Sequence, residues 1–357
     1  MDGLTVSTGT FITEDLGTNS GAENISLIDV AGYLPENVVP ADYFAQYVAE
    51  EDRTSNIMFK APKFRHHLAA GESAADMAER AVAPILERQG RDVLRDIDIL
   101  IVHTQLPETG IVGNGGEVAA RLGISPEWLI DLHNGGCAAF VHGMKLARQI
   151  MRGSDAKSAL IVTISNVAGQ VFTQEQVRGK PQAAIPGDGA GAGLLVKSGV
   201  SPILDIETRH LPEFAGQMTV IADPPRKYWE AGSGQMHVGF TESKIAKVLQ
   251  RGNRIVPEVA HTVCKRIGVP SDRLDLLVTN QPNRAFLRNW RDALMLPQDR
   301  HPDTFEECGN LFAAGIPVTF DRAVDEGRVP AGSVVMLAGF AHAGDFAAAA
   351  AVRWGGR

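Results

Sequence analysis

The chain has few cysteines: three in 357 residues, Cys137, Cys264 and Cys308, with no Cys-x-x-Cys spacing among them. That scarcity excludes a disulfide framework and gives no zinc-site spacing. The ten histidines are scattered, with His66-His67 the one adjacent pair, so no metal is expected. Positive charge is short as well. The 34 Lys and Arg against 42 Asp and Glu leave a net charge of −8, which argues against a general binder of nucleic acid or anionic membranes. Local basic patches stay compatible with that total. No apolar run follows a basic start, and no uninterrupted apolar stretch reaches about 18 residues, so neither a signal peptide nor a membrane span is expected. These absences predict a soluble, reduced, cytoplasmic protein.

What is present is apolar residue and glycine, 44% hydrophobic positions and 37 glycines, enough for two core-forming lobes. Residues 1–24, rich in Thr, Ser, Gly and Asn, read as a flexible extension or a dimer-clasping arm. A strand is predicted over 25–30, an amphipathic helix over 74–89 and a buried strand over 97–103. A helix is predicted over 113–122, a strand over 158–164, and another led in by the glycines of 187–196. The stretch 202–240 reads as irregular. Beyond it come a long helix over 244–267, a strand over 274–279, a helix over 312–325, and strands over 333–337 and 346–354.

The halves echo each other. Asp98-Ile-Leu-Ile-Val-His103 matches Asp275-Leu-Leu-Val-Thr-Asn280, Gly136 to Gly153 matches Gly309 to Gly327, and Ser158-Ala-Leu-Ile-Val162 matches Ser333-Val-Val-Met-Leu337. Three matches in order at offsets of about 175 residues favour an internal duplication. Residues 25–200 and 201–357 are then two related halves, and the alternating strands and helices predict two parallel-type sheets packed through shared helices.

The organising stretch is Asp131-Leu-His-Asn-Gly-Gly-Cys-Ala-Ala-Phe140. An apolar run ends at Leu132, Gly135 and Gly136 allow a tight turn, and a helical pattern begins at Cys137. Unpaired N–H groups and the dipole at a helix start favour a thiolate there. That is the geometry expected of a sulfur nucleophile.

This stretch, the Gly187-Asp-Gly-Ala-Gly-Ala192 segment and the duplicated α/β layout together resemble the thiolase superfamily, and within it the β-ketoacyl-ACP synthase III (ketosynthase III-like) family. Further matches are Arg65-His66 and the run from Gly309-Asn310 through Asp321-Arg-Ala-Val-Asp-Glu-Gly327 to Val335. The resemblance covers residue 25 to the C-terminus. It implies a five-layer αβαβα fold, a homodimer, and an acyl-S-cysteine intermediate formed from an acyl-CoA or acyl-carrier-protein thioester as substrate, with no resident cofactor.

Carried onto this chain, the resemblance makes Cys137 the nucleophile, whose acyl-enzyme divides one transfer into two steps. Cys264 reads as helix packing. Where the family has a strand-end His-Gln-Ala-Asn, this chain has Asn280-Gln-Pro-Asn283. Asparagine donates through its amide but cannot shuttle a proton as imidazole does, so Asn280 keeps an oxyanion role with weakened acid–base function. Asn310 matches the family's second polar residue, or caps a helix; Cys308 stands where the family has histidine beside it. His342, in Gly339-Phe-Ala-His-Ala-Gly344, either replaces the base missing at 280 or points away and caps a strand. The N–H of Cys137 and one N–H from Ala343 or Gly344 are expected to form the oxyanion hole.

His133 is a candidate for shaping the acyl pocket, with His103 and His142 as weaker candidates; Glu117 is not expected to reach it. Asn283 and Arg284 are candidate substrate contacts, Arg284 for CoA phosphates or an acidic carrier protein, ahead of Arg226, Lys227 and Lys244. The glycines of 187–191 are expected to be structural, with no ligand.

Decarboxylative condensation needs an enolate stabilised by a His/Asn pair, whereas plain acyl transfer needs the cysteine, an oxyanion hole and a base. Asn280 weakens the first more than the second. The sequence therefore points to an acyltransferase of specialised, polyketide- or fatty-acid-like metabolism with a small-molecule acceptor. The alternatives are a condensing enzyme that extends a malonyl thioester and a non-catalytic subunit needing a related partner.

Overall fold

A computed structural model describes residues 24–49, 51, 60–133, 135–222, 224–227, 229–233, 237–239 and 242–357. The expected extension at 1–24 lies, but for its last residue, outside the described residues.

Two sheets carry the fold. The first is built from β1 (Ile25–Tyr33), β2 (Ile99–Thr104), β3 (Trp128–Asp131), β4 (Ser158–Ser165) and β5 (Gly189–Lys197), in the order β1-β5-β4-β2-β3. The second comprises β6 (Ile203–His210), β7 (Leu276–Thr279), β8 (Val334–Ala341) and β9 (Phe346–Arg353), in the order β7-β8-β9-β6. Matching β1 with β6, β5 with β9, β4 with β8 and β2 with β7 superposes the two orders, with antiparallel pairs at one side and a parallel pair at the other. The repeat seen in the sequence is thus a repeat of topology.

The sheets are mixed, which corrects the expectation of parallel ones. The chain returns from β4 to β5 through turns at the same end of the sheet, and from β8 to β9 through a tight turn, so each pair runs antiparallel. Strand β6 also lies inside the stretch read as irregular. Its sequence, Ile-Leu-Asp-Ile-Glu-Thr-Arg-His, mixes charge with apolar residues because it is an edge strand, and only Ile203 and Ile206 are buried.

Six helices complete the layers: α1 (Ala74–Gln89), α2 (Gly115–Leu122), α3 (Ala139–Gly153), α4 (Glu242–Ile267), α5 (Arg284–Ala293) and α6 (Gly315–Asp325). Helix α1 starts sharply because Ser73 and Asp76 form a capping box, worth about 1 kcal/mol. Helices α3 and α6 lie between the sheets; α1 and α2 cover the first sheet outside, α4 and α5 the second. The result is the five-layer αβαβα arrangement. Phe140, Met144, Ile316, Phe320 and Trp354 fill the middle layer, each such buried side chain contributing about 1.5–3 kcal/mol over its exposed state. The five alanines of β9, poor strand formers, pass between closely approaching layers and are all fully buried.

The glycine segment serves this packing. A Cβ on Gly187 would lie 2.0 Å from the Cys308 carbonyl oxygen, and one on Gly191 would lie 2.3 Å from Pro317. Between them the Asp188 carboxylate accepts the backbone N–H groups of Leu68, Ala168 and Gly169.

Candidate active site

The turn at Cys137 is a single 3₁₀ turn, Gly136–Ala138, with α3 beginning at Ala139 rather than at Cys137. Gly136 has φ of 46°, and a Cβ there would stand 2.8 Å from the Ala341 Cβ and 3.1 Å from His342 Nε2. Glycine is therefore required, and the His342 imidazole lies against the residue preceding the cysteine. Cys137 is half-buried. Burial pushes its thiol up to about 12, with its own backbone N–H pulling weakly the other way. Desolvation thus outweighs the expected bias toward thiolate.

The turn joining β8 to β9 provides a candidate base. His342 adopts φ of 51°, Gly344 donates its N–H to the Ala341 carbonyl at 2.9 Å, and His342 Nδ1 lies 3.0 Å from Asp345 Oδ1. Gly344 is thereby removed as an oxyanion donor, since its N–H closes the turn; Ala343 is the candidate left. The Ala343 carbonyl in turn accepts from Nε of the buried Arg251 at 2.9 Å.

Asn280 follows β7 and is fully buried, its backbone N–H reaching the Ala338 carbonyl. Neither side-chain atom of Asn280 has a hydrogen-bond partner, and the amide rests against Gly339, where a Cβ would stand 2.8 Å from Oδ1. Buried amides rarely stay unpaired, so Asn280 is marked as a group apart from the packing residues around it. Asn310 directs its Oδ1 to accept the Phe312 N–H at 3.0 Å, so only its NH₂ group can act on a substrate oxygen.

Other candidates are used differently. Asn283 caps α5, its Oδ1 accepting the Phe286 N–H at 3.0 Å. Arg284 pairs with Glu306, donates to the carbonyls of Lys60 and Ala61 at 3.0 and 3.1 Å, and lies over Phe305. Its guanidinium is committed to the protein, against the expectation of a phosphate contact. Arg226 donates to the Glu230 carbonyl, and the side chain of Lys244 lies outside the described residues. Glu117 is exposed and faces Arg121.

His103 is buried with Nδ1 2.7 Å from the Leu132 carbonyl, and burial pulls its pKa down. His142 packs between His210 and Phe346, its pKa pulled down to about 4 by burial. His133 is exposed and lines a cavity of about 200 Å³ with Val102, Thr104, Pro107, Gly113 and Leu132. The Thr104 hydroxyl beside it is buried without a partner. Cys308 and Cys264 are packing residues, their thiols pushed up to about 12 and 11 by burial. Sequence reasoning missed Asp345 and Arg251. The signal for Asp345 was there, an acid three residues after His342 in a glycine-rich turn; nothing in the sequence marks Arg251, which comes from a distant helix.

Three comparisons with known proteins bear on this geometry. Residues 130–210 match the family of 3-oxoacyl-[acyl-carrier-protein] synthase III, and residues 264–354 match the C-terminal family of the same synthase. The chain is 27% identical to a β-ketoacyl-[acyl-carrier-protein] synthase III of Thermosynechococcus vestitus, over 81% of this chain and 86% of that protein. It is 28% identical to the synthase of that name from Methylococcus capsulatus, over 87% and 92%. Among solved structures, the synthase III of Thermus thermophilus superposes with a TM-score of 0.79 at 24% identity, covering 93% of this chain and all of that one. The cerulenin-bound OleA of Xanthomonas campestris superposes at 0.78 and 20%, covering 94% and 100%, and so shares the fold. In sequence over both halves and in fold, the chain is similar to the ketosynthase III family of the thiolase superfamily.

Proposed function

We propose that the chain is an acyltransferase that takes an acyl group from an acyl-CoA or acyl-carrier-protein thioester onto Cys137 and passes it to a small-molecule acceptor in specialised, polyketide- or fatty-acid-like metabolism. The observation that carries this reading is the pairing of two substitutions. Residue 280 is an asparagine that cannot relay a proton, while a histidine stands in the turn packed against Gly136. The N–H groups of Cys137 and Ala343 receive the thioester oxygen, the amides of Asn280 and Asn310 lie ready for substrate, and His342 exchanges the proton. The cavity at His133 takes the acyl group. Asn283 and Arg284 then support the site from beside it.

We also propose a homodimer, working in the cytoplasm where acyl thioesters are supplied. The edge strand β3 exposes Trp128 and Leu129, and Ile111 and Val112 stand exposed in the preceding loop. Leu129→Lys should then give a monomer by light scattering; an unchanged mass would exclude this face.

The relatives' names favour a second reading, a decarboxylative condensing enzyme that extends a malonyl thioester. One experiment separates the two: intact-protein mass spectrometry after incubation with acyl-CoA and acyl-carrier-protein thioesters, then malonyl-CoA. An acyl increment on Cys137 that malonyl-CoA does not discharge supports acyl transfer. Release of CO₂ with a β-ketoacyl product supports condensation and sinks the first reading. No increment on the purified chain with any thioester supports the third, a subunit dependent on a related partner.

A further inference from the structure

The turn from β8 to β9 is fastened on both sides. Inside it, His342 holds a left-handed backbone that few non-glycine residues adopt, with its Nδ1 3.0 Å from Asp345 Oδ1. The Asp345 backbone is itself pinned, its carbonyl accepting the Leu211 N–H at 2.6 Å. From outside, Arg251 on α4 donates Nε to the Ala343 carbonyl, donates a second nitrogen to Gln217 Oε1 at 2.7 Å, and lies 3.7 Å over the Phe214 ring. The Asp345 carboxylate in turn lies close enough to favour the charged form of Arg251, and His103, at the end of β2, is a second imidazole near this turn. Three elements thus fasten the turn that carries the imidazole, and Asp345 holds the ring itself. That is more constraint than a hairpin turn needs.

The geometry also sets the tautomer. A carboxylate accepts, so Nδ1 carries the hydrogen and donates it, and Nε2 is left with its lone pair. That nitrogen is the atom 3.1 Å from the Cβ position of Gly136, on the cysteine's own turn.

We propose that Asp345 is the positioning residue of a Cys137–His342–Asp345 triad, and that the acceptor is a protic nucleophile, a hydroxyl or an amine. The inference rests on the acyltransferase reading and names its acceptor class. A malonyl acceptor generates its carbanion by losing CO₂ and has no proton to surrender, whereas a hydroxyl or amine must lose one as it attacks. In loading, the Cys137 proton passes to Nε2 as sulfur attacks the thioester carbonyl, and leaves on the departing thiol. In transfer, the acceptor oxygen or nitrogen bonds to the acyl carbon, its proton passes to Nε2, the C–S bond breaks, and that proton returns to the Cys137 sulfur. Ester or amide is formed, and the thiol is regenerated.

The test uses Asp345→Asn, with Asp345→Glu as the conservative rescue and His342→Gln as reference, each first checked for an unchanged melting profile. Two readouts are taken. Iodoacetamide alkylation of Cys137 across pH 5–9 reads the base without any acyl substrate. The expected result is base-assisted alkylation in the wild type, lost in His342→Gln, lowered about tenfold in rate in Asp345→Asn and largely restored in Asp345→Glu. An alkylation profile indifferent to residues 342 and 345 overturns the triad whatever the enzyme acylates. The second readout is discharge of the preloaded acyl-enzyme by hydroxylamine against malonyl-CoA. Discharge by hydroxylamine that falls about a hundredfold in Asp345→Asn supports the acceptor class. Faster discharge by malonyl-CoA with CO₂ release overturns it. Loss of the acyl-enzyme altogether, with the alkylation profile intact, refutes the acyltransferase reading and the acceptor class while leaving the triad.

Discussion

Each half of the molecule begins its central helix with the same turn. Gly136–Ala138 precedes α3 and Phe312–Ala314 precedes α6, and each opens at nearly the same dihedral, φ of 46° at Gly136 and 48° at Phe312. The side chains on the two turns differ. In the first half the second position is Cys137, and glycine before it clears the space that His342 and Ala341 occupy. In the second half that position is the buried Ala313. The left-handed Phe312 there, which costs about 1 kcal/mol or more, is offset by the bond its N–H makes to Asn310. The duplication supplied one backbone twice. One copy carries the candidate nucleophile Cys137, and the other carries Asn310 beside its turn.

That contrast is broken most severely at the sulfur. Cys137→Ala should abolish the acyl increment and lower turnover roughly a thousandfold or more. Adding Ala313→Cys to that variant should not restore either; an adduct on the introduced thiol would show that the backbone alone makes the site. Next in size is Gly136→Ala, which should cost about 2–4 kcal/mol in urea denaturation through its clash and left-handed φ. Phe312→Asn, at the matching dihedral, should stay within about 1 kcal/mol, because asparagine tolerates that conformation. Equal losses at the two positions would mean that φ, and not the crowding by His342, sets the demand for glycine.

Acid probes both halves alike. His67, in the 64–67 strand of the first half, and His301, behind Thr279 in the second, are buried, and burial lowers their imidazoles to about 4 and about 3. Both sit below the ordinary 6.5, so the unfolded chain binds protons first as pH falls. Stability should be flat above about pH 6.5 and decline below it, by roughly 2–3 kcal/mol per histidine at pH 4.5. Thermal melts from pH 8 to 4.5 check this, and His301→Gln should flatten the dependence; an unchanged slope would place the acid sensitivity elsewhere. The smallest effect is expected from Asn310→Ala. Losing one turn bond should cost about 1 kcal/mol and slow discharge of the acyl-enzyme a few-fold, read by calorimetry and stopped-flow.

Legibility followed the range of the forces involved. Helix α1 was readable to the residue because its capping box and apolar stripe are local. Strand β6 was not, because an edge strand with charges resembles a loop until a sheet is placed beside it. The repeat was visible in three segments, yet its consequence, mixed sheets, depended on where connections turn. At the site, Cys137, Asn280 and Asn310 stand at motif positions and were named from them. Gly344 was named as a donor, but its N–H closes a turn; Arg284 was named for phosphate, but Glu306 and two carbonyls hold it.

By itself the sequence determined the duplicated α/β layout and marked Cys137 as the candidate nucleophile, since periodicity, glycine pairs and motif order are written along the chain; the resemblance added that a histidine is expected where Asn280 stands. Only the tertiary structure decided which imidazole lies against the turn at Cys137. His342 meets Gly136 across two halves of the fold, and Arg251 reaches the same turn from a third element. Such contacts exist only once the sheets have packed, because proximity between distant residues is a property of the folded layers and not of spacing.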